Sequence, residues 1–233
     1  AWGITREAQD ELAMASHHNL AAAYEAGFFD DLVTPFRGLV RDANLRPDTS
    51  MEKLAKLPPV FGTRLDTPAT MTAGNSTPLS DGASAVLLGT REWADEHGLP
   101  PLAAVVDAEM AAVDFVHGRE GLLMAPAYAV PRLLARNGLT LEDFDVVEIH
   151  EAFASTVLTT LAAWEDDDFC RERLGLPGPF GKVDRARLNV HGSSLAAGHP
   201  FAATGGRIVA TAAKLLAQRG SGRALVSVCA AGG

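Results

Sequence analysis

The sequence has little of what disulfides, metal clusters or membrane spans require. Only two cysteines, Cys170 and Cys229, occur in 233 residues. That is too few for a disulfide framework, and two thiols alone do not build a zinc site. Such sparse usage makes a reducing cytoplasm the default compartment. No run of ~20 apolar residues is present, which excludes a membrane-spanning helix, and residues 1–10 lack the basic-then-apolar order of a secretory signal. Positive charge is short as well. Twenty Lys and Arg against 29 Asp and Glu leave a formal charge of −9, so there is no general basic surface for gripping nucleic acid. An anionic small molecule would need only a local cationic patch. What remains is 47% hydrophobic with 22 Gly and 13 Pro, a globular composition with material for a sizeable core in one or two domains.

The opening stretch predicts a helix, with Thr5 as N-cap, Glu7 in the first turn and Gly27 as the stop. Ala8, Leu12, Ala15, Ala22 and Ala26 recur at helical spacing and suggest a stripe of small apolar residues for close packing. From Asp30 to Leu65 periodicity collapses around Pro35, Pro47, Pro58 and Pro59, as in an irregular excursion over another surface. Excursions of that length usually serve a function. Thr70–Gly82 is rich in turn residues and leads into an apolar run at 83–88, and Pro100-Pro101 marks a domain boundary. Beyond it, strands are expected at Ala103–Asp107, Asp145–Ile149, Ala224–Cys229 and, more weakly, Arg187–Val190. Helices are expected at Pro126–Asn137, Glu151–Trp164 and Thr204–Gln218. Repeated β-α-β units imply a mainly parallel sheet with helices on both faces. The acidic run 165–168 reads as a solvated helix end.

Three segments carry residues suited to chemistry, each beyond the carboxyl end of a predicted strand, where parallel sheets place ligands. In Val147–Ala154 an apolar strand delivers His150 and Glu151 to a strand-to-helix turn. A zincin needs a second His four positions on, but Ala154 stands there, which rejects a metalloprotease. The plain alternative is that both residues cap the following helix. In Asn189–Gly206, Pro200 holds His199 extended, and Gly192, Gly198, Gly205 and Gly206 let backbone approach a ligand closely. The run Gly192-Ser193-Ser194-Leu195-Ala196 lacks the closing glycine of a lipase elbow, and a Gly-rich surface turn is the alternative. In Leu225–Gly233, Cys229 ends a buried-looking strand, where an inert core thiol is the usual reading. Cys170, in a polar acidic stretch, reads as non-functional. A His and a Cys at neighbouring strand ends could handle protons, which points to acyl or proton chemistry on a small molecule.

His-Glu-Ala-Phe-Ala, Gly-His-Pro-Phe-Ala-Ala-Thr-Gly and Cys-Ala-Ala-Gly-Gly, in that order, resemble the C-terminal signatures of thiolases. Residues 4–10 and 72–83 resemble upstream thiolase segments, so the likeness spans essentially the whole chain. His150, where most thiolases have Asn, and Ala231, where most have Gly, resemble the branch that includes the trifunctional-enzyme beta subunit and its bacterial fatty-oxidation counterparts. Leu122–Pro131 and the acidic insert Trp164–Pro179 fit that branch too.

The resemblance implies an α/β protein of αβαβα layered fold, here incomplete. Residues 1–69 would be the later part of an inserted loop domain, 70–99 the end of the N-terminal half, and 100–233 the C-terminal half without its last strand. It implies CoA-dependent cleavage of 3-ketoacyl-CoA to acetyl-CoA and a shortened acyl-CoA in fatty-acid beta-oxidation, with coenzyme A as co-substrate and no metal. By the same resemblance His199 would deprotonate the nucleophilic cysteine, and Cys229 would move the proton at the acetyl carbon. His150 would complete an oxyanion site with the backbone N–H of Ala231, while Thr77 and Phe153 would lie near the pantetheine arm. Implied partners are acyl-CoA and CoA, a second copy or more in a homodimer or homotetramer, and a hydratase/dehydrogenase alpha subunit. Neither Cys170 nor Cys229 matches the family's acyl-accepting cysteine, so the 233-residue chain alone is expected to be inactive and to expose apolar faces. The alternatives are a biosynthetic acetyl-CoA C-acetyltransferase and a non-catalytic acyl-CoA or lipid-binding module. Retention of His150, His199 and Cys229 together argues against the latter. A ketosynthase-type condensing enzyme is disfavoured by Cys229 where that type carries a second His.

Overall fold

The computed structural model describes residues 2–63, 68–117 and 121–230. Its first helix, α1 (Arg6–Glu25), begins where predicted, because the Thr5 hydroxyl accepts the Ala8 N–H at 3.1 Å and satisfies a donor the helix cannot. Its buried face is not the alanine stripe. Ala15, Ala22 and Ala26 are exposed, whereas Gln9, Asp10, Ala13, Ser16, His17 and Leu20 are buried. The polar members of that face all have partners. Gln9 donates to Thr5 and Thr70, Asp10 accepts from Arg6 and Asn75, Ser16 donates to Glu151, and His17 accepts the Arg46 N–H. Hydrogen bonding fixes much of this contact face, so apolar periodicity points to the wrong side.

Among its described residues, the excursion after α1 holds one short helix, α2 (Met51–Ala55), capped by Ser50. The run at 83–88 and the predicted strand Ala103–Asp107 adopt no regular structure, and α3 (Arg91–Glu96) lies between them. Val105 and Val106 are 73% and 85% exposed. A strand needs a neighbour's N–H and C=O groups, and no described residue offers a ladder there.

The sheet has two described strands. β1 (Val146–Ile149) and β2 (Ala224–Ser227) pair in parallel, with Val146 opposite Ala224 and Ile149 opposite Ser227. The predicted strand Arg187–Val190 reduces to a 3-10 turn and a single parallel bridge from Leu188 to Val147. Asn189, with φ of 47°, turns the chain away there. Its side chain replaces the next rung, accepting the Ile149 N–H at 2.8 Å and donating to the Ile149 carbonyl at 2.9 Å. The remaining helices are α4 (Pro126–Asn137), α5 (Ala154–Glu165), α6 (Asp167–Glu172), α7 (Ser194–Ala197) and α8 (Thr204–Arg219). Left-handed Gly138 and Gly220 end α4 and α8. The acidic run 165–168 is exposed at the end of α5, as expected, and it also starts the next helix: Asp166 accepts the Phe169 N–H at 2.7 Å and caps α6.

The main core joins Val147, Ile149 and Leu225 of the sheet to Leu134 of α4 and Val157, Leu161 and Trp164 of α5. Each such side chain contributes about 1.5–3 kcal/mol on burial. Trp164 is fully buried, and its indole N–H donates to the Ala127 carbonyl at 3.2 Å.

Two glycines, one at each end of the sheet, yield stability predictions. Gly192 has φ of +72°, and a Cβ there would strike the Ser16 carbonyl oxygen and lie 2.8 Å from the Leu20 nitrogen. The turn is pressed against α1. Gly220, with φ of +83°, has open space around it. Gly220→Ala is therefore expected to lose about 1–2 kcal/mol, from backbone strain alone, and Gly192→Ala about 1–3 kcal/mol more from overpacking. Urea midpoints compare the two, and equal losses would contradict the packing account.

Glu148 lies fully buried on β1, and neither carboxyl oxygen has a hydrogen-bond partner among the described residues. Burial pushes this carboxyl up to about 8, against the opposing pull of Arg207. Between the ordinary value of 4.5 and about 8 the folded protein holds a proton that the unfolded chain has released. Glu148 thus favours folding fully below that window and loses its contribution as pH rises through it. Glu148→Gln is expected to gain stability relative to the parent at pH 8 but not at pH 5. A pH-independent difference between the two proteins would refute the assignment.

Candidate active site

The site forms where the parallel strands end. The His150 N–H donates to the Ser227 carbonyl at 2.8 Å, continuing the β1–β2 ladder by one rung. The helix predicted from Glu151 starts only at Ala154, because the intervening residues are held elsewhere. The buried Glu151 carboxylate accepts from Ser16 at 2.7 Å, Asn189 at 2.8 Å and the Leu195 N–H at 3.1 Å. The Ala152 carbonyl accepts from both the N–H and the hydroxyl of Thr77, at 3.1 and 3.0 Å. Phe153 bridges to Ser76 as an isolated β-pair. Helix capping by His150 and Glu151 is therefore corrected: Glu151 fastens α1, the Asn189 turn and α7 to one point, and His150 is delivered inward.

His150 is 1% exposed and stands against His199, with ring centroids 4.1 Å apart and planes 43° apart. His199 is partly buried on the turn before Pro200, and its Nδ1 lies 2.7 Å from the Thr204 hydroxyl. That hydroxyl also lies 3.3 Å from the Pro200 carbonyl, and in donating there it would accept from His199. His199 then carries its proton on Nδ1 and leaves Nε2 with a lone pair, the form of a base. Burial, the His199 ring and Arg207 together bring His150 down to about 3. Burial, then Arg207, also lowers His199. Both rings are neutral at neutral pH.

Cys229 lies two residues beyond β2 and is buried. Burial pushes its thiol up to about 11, opposed by hydrogen bonds from its own backbone and that of Ala152. Ala152 is thus a hub: Thr77 holds its carbonyl, Cys229 meets its N–H, and its neighbour Phe153 packs edge-on against Phe61 at 5.6 Å. The structure brings His150 and His199 into contact and ties Thr77, Phe153 and Cys229 to the strand end that delivers His150. Ala231 lies outside the described residues. Cys170 packs instead with Met124, Ala127, Ala163 and Phe169.

Sequence reasoning missed Ser194, Thr204 and Arg207. The Ser194 hydroxyl lies 2.7 Å from His150 Nδ1 and accepts from Arg207 Nη2 at 2.8 Å. Arg207 sits in the first turns of α8, where the helix dipole disfavours a cation. That misplaced charge is the signal the sequence offered. Glu148, Asp42 and Glu151 supply the opposing acidic field around it. Among the described residues, no group of three or more His, Cys, Asp or Glu is placed to hold a metal ion, and no helix is long and apolar enough to cross a membrane.

The chain matches the family model for the thiolase N-terminal domain over residues 1–92 and that for the thiolase C-terminal domain over residues 99–233. It is 42% identical over 238 residues to a 3-ketoacyl-CoA thiolase of Pectobacterium carotovorum, covering 100% of this chain and 53% of the relative. A 3-ketoacyl-CoA thiolase of Erwinia tasmaniensis is 43% identical over 240 residues, covering 99% of this chain and 53% of its own length. The chain thus spans about half the length of these curated relatives. Among solved structures, Bacillus anthracis acetyl-CoA acetyltransferase superimposes with a TM-score of 0.79 at 36% identity, covering 99% of this chain and 54% of that one. Human mitochondrial 3-ketoacyl-CoA thiolase in complex with CoA does so with 0.77 at 32% identity, covering 99% and 53%. By these matches and by its α/β fold, the chain belongs to the thiolase family.

Proposed function

We propose that this sequence supplies the proton-handling and oxyanion groups of a 3-ketoacyl-CoA thiolase. The reaction is CoA-dependent cleavage of a 3-ketoacyl-CoA to acetyl-CoA and a shortened acyl-CoA. The observation that carries this reading is the contact of two neutral imidazoles, His150 and His199, at the carboxyl end of β1. A base and a hydrogen-bond donor placed side by side suit acyl transfer through a thioester, where one group takes a thiol proton and another stabilises a developing oxyanion.

In this reading His199, through its Nε2 lone pair, takes the proton of the acyl-accepting cysteine, a residue matched by neither Cys170 nor Cys229. That sulfur attacks the 3-keto carbon, the bond between C2 and C3 breaks, and the electron pair passes to the acetyl-CoA enolate. His150 donates to the enolate oxygen, with the Ala231 N–H as second donor. Cys229 gives its proton to the enolate carbon. Its raised pKa favours the thiol form at neutral pH, which suits an acid in the cleavage direction. Coenzyme A then gives its thiol proton to the Cys229 thiolate and attacks the thioester, and the departing cysteine thiolate takes back its proton from His199. Thr77 and Phe153 line the approach of the pantetheine arm, a placement supported by their shared anchorage at Ala152.

The same reading makes CoA the co-substrate and places the protein in fatty-acid beta-oxidation in the cytoplasm, divided at 1–69, 70–99 and 100–233. It assembles as a homodimer or homotetramer and accepts a hydratase/dehydrogenase alpha subunit. Exposed apolar side chains, among them Leu79, Leu87, Val106 and Met110, support burial against further polypeptide. The likeness to an acetyl-CoA acetyltransferase favours one second reading, a biosynthetic enzyme confined to short chains. Rates across acyl chain lengths separate the two readings.

In the complete protein, Cys229→Ala is expected to abolish thiolysis of acetoacetyl-CoA while leaving CoA affinity unchanged by calorimetry. Turnover preserved in that variant would reject the catalytic reading in favour of a binding module.

A further inference from the structure

Beside the histidine pair, Ser194 and Arg207 form a chain of hydrogen bonds that the acyl-transfer reading leaves unused. Ser194 is fully buried on α7, and its oxygen lies 2.8 Å from Arg207 Nη2 and 2.7 Å from His150 Nδ1. A guanidinium only donates, so that contact occupies a lone pair of the serine. The one acceptor that the described hydrogen bonds offer the serine proton is His150 Nδ1. An Nδ1 that accepts is bare, and a neutral ring must then hold its proton on Nε2. That proton would sit at the opposite end of the ring. His150 Nε2 is buried with no hydrogen-bond partner among the described residues. An N–H left unsatisfied in a buried place costs about 1–3 kcal/mol until an acceptor arrives.

We infer that Arg207 and Ser194 are positioning residues that lock His150 as the Nε2–H tautomer. The neighbouring ring is set the other way by Thr204. One imidazole therefore offers a donor and the other a lone pair from the same pair of adjacent rings. Without Arg207 the serine could rotate and accept from Nδ1–H, and the donor would vanish from Nε2. The misplaced cation at the start of α8 thereby acquires a role, since it biases the serine hydroxyl toward donation. The catalytic meaning of this lock rests on the thiolase reading, whereas the tautomer itself does not.

The test is 15N-histidine NMR of the complete protein, with the His150 signals assigned by His150→Asn, alongside thiolysis of acetoacetyl-CoA. Wild-type protein is expected to show a protonated Nε2 and a bare Nδ1. In Ser194→Ala the Nδ1–H form appears and kcat falls about 100-fold, the scale of losing one oxyanion donor. Ser194→Thr keeps the hydroxyl and restores both readouts, and Arg207→Met yields a tautomer mixture. Should Arg207→Met fail to fold, the two Ser194 variants carry the test. A protonated Nδ1 in wild type, or an unchanged tautomer in Ser194→Ala, overturns the inference. An Nε2–H ring in a protein without thiolysis rejects the thiolase reading and keeps the lock. Thiolysis with an Nδ1–H ring rejects the lock alone.

Discussion

Two imidazoles, His150 and His199, stand 4.1 Å apart at the end of a buried strand, and they cannot both be charged. Two positive charges at that separation repel by about 4 kcal/mol at an effective dielectric of 20, and burial penalises even one. Arg207 adds a permanent cation nearby. The site therefore holds neutral rings, and neutral rings act by where their single protons sit. The rest of the local structure serves that placement. Asn189 completes the sheet by side chain, Glu151 binds α1 and α7 to the strand end, and Gly192 lets the turn lie against α1.

The electrostatics beneath the pair are unusual for a core. Glu148 is fully buried and Arg207 half-buried, yet the buried Arg207 Nε and both Glu148 oxygens lack hydrogen-bond partners among the described residues. A cation beside a carboxyl that burial keeps protonated at neutral pH is a poor source of stability. Burial pulls Arg207 down and pushes Glu148 up, while the attraction between the two groups opposes burial in both. Such an arrangement makes sense where a function needs the cation more than the fold does, and Arg207 reaches His150 through a single serine.

Much of this was legible in the sequence, and the failures have physical causes. The cap at Thr5, the glycine stops and the two described strands follow from local signals that tertiary contacts leave intact. His150, His199 and Cys229 stood out because strand ends in parallel sheets collect ligand-facing residues. The alanine stripe of α1 misled, because Gln9, Asp10, Ser16 and His17 are buried by hydrogen bonds that a hydrophobicity pattern does not count. The helix at Glu151 began late because long-range bonds to Ser16, Thr77 and Leu195 outcompete the first helical turn. The strand expected at Ala103–Asp107 has no described neighbour with which to pair. Ser194 and Arg207 escaped notice since their role lies in the direction of a proton, which spacing cannot report.

Titrating both rings tests the account most directly. With 13C-labelled histidine in the complete protein, His150 and His199 are each expected to stay neutral as pH falls past the ordinary 6.5. His150 should be the more resistant, consistent with a midpoint near 3. A midpoint at or above 6.5 for either ring would mean that a charged imidazole is tolerated there, and the neutral donor–acceptor pair on which the account depends would not exist.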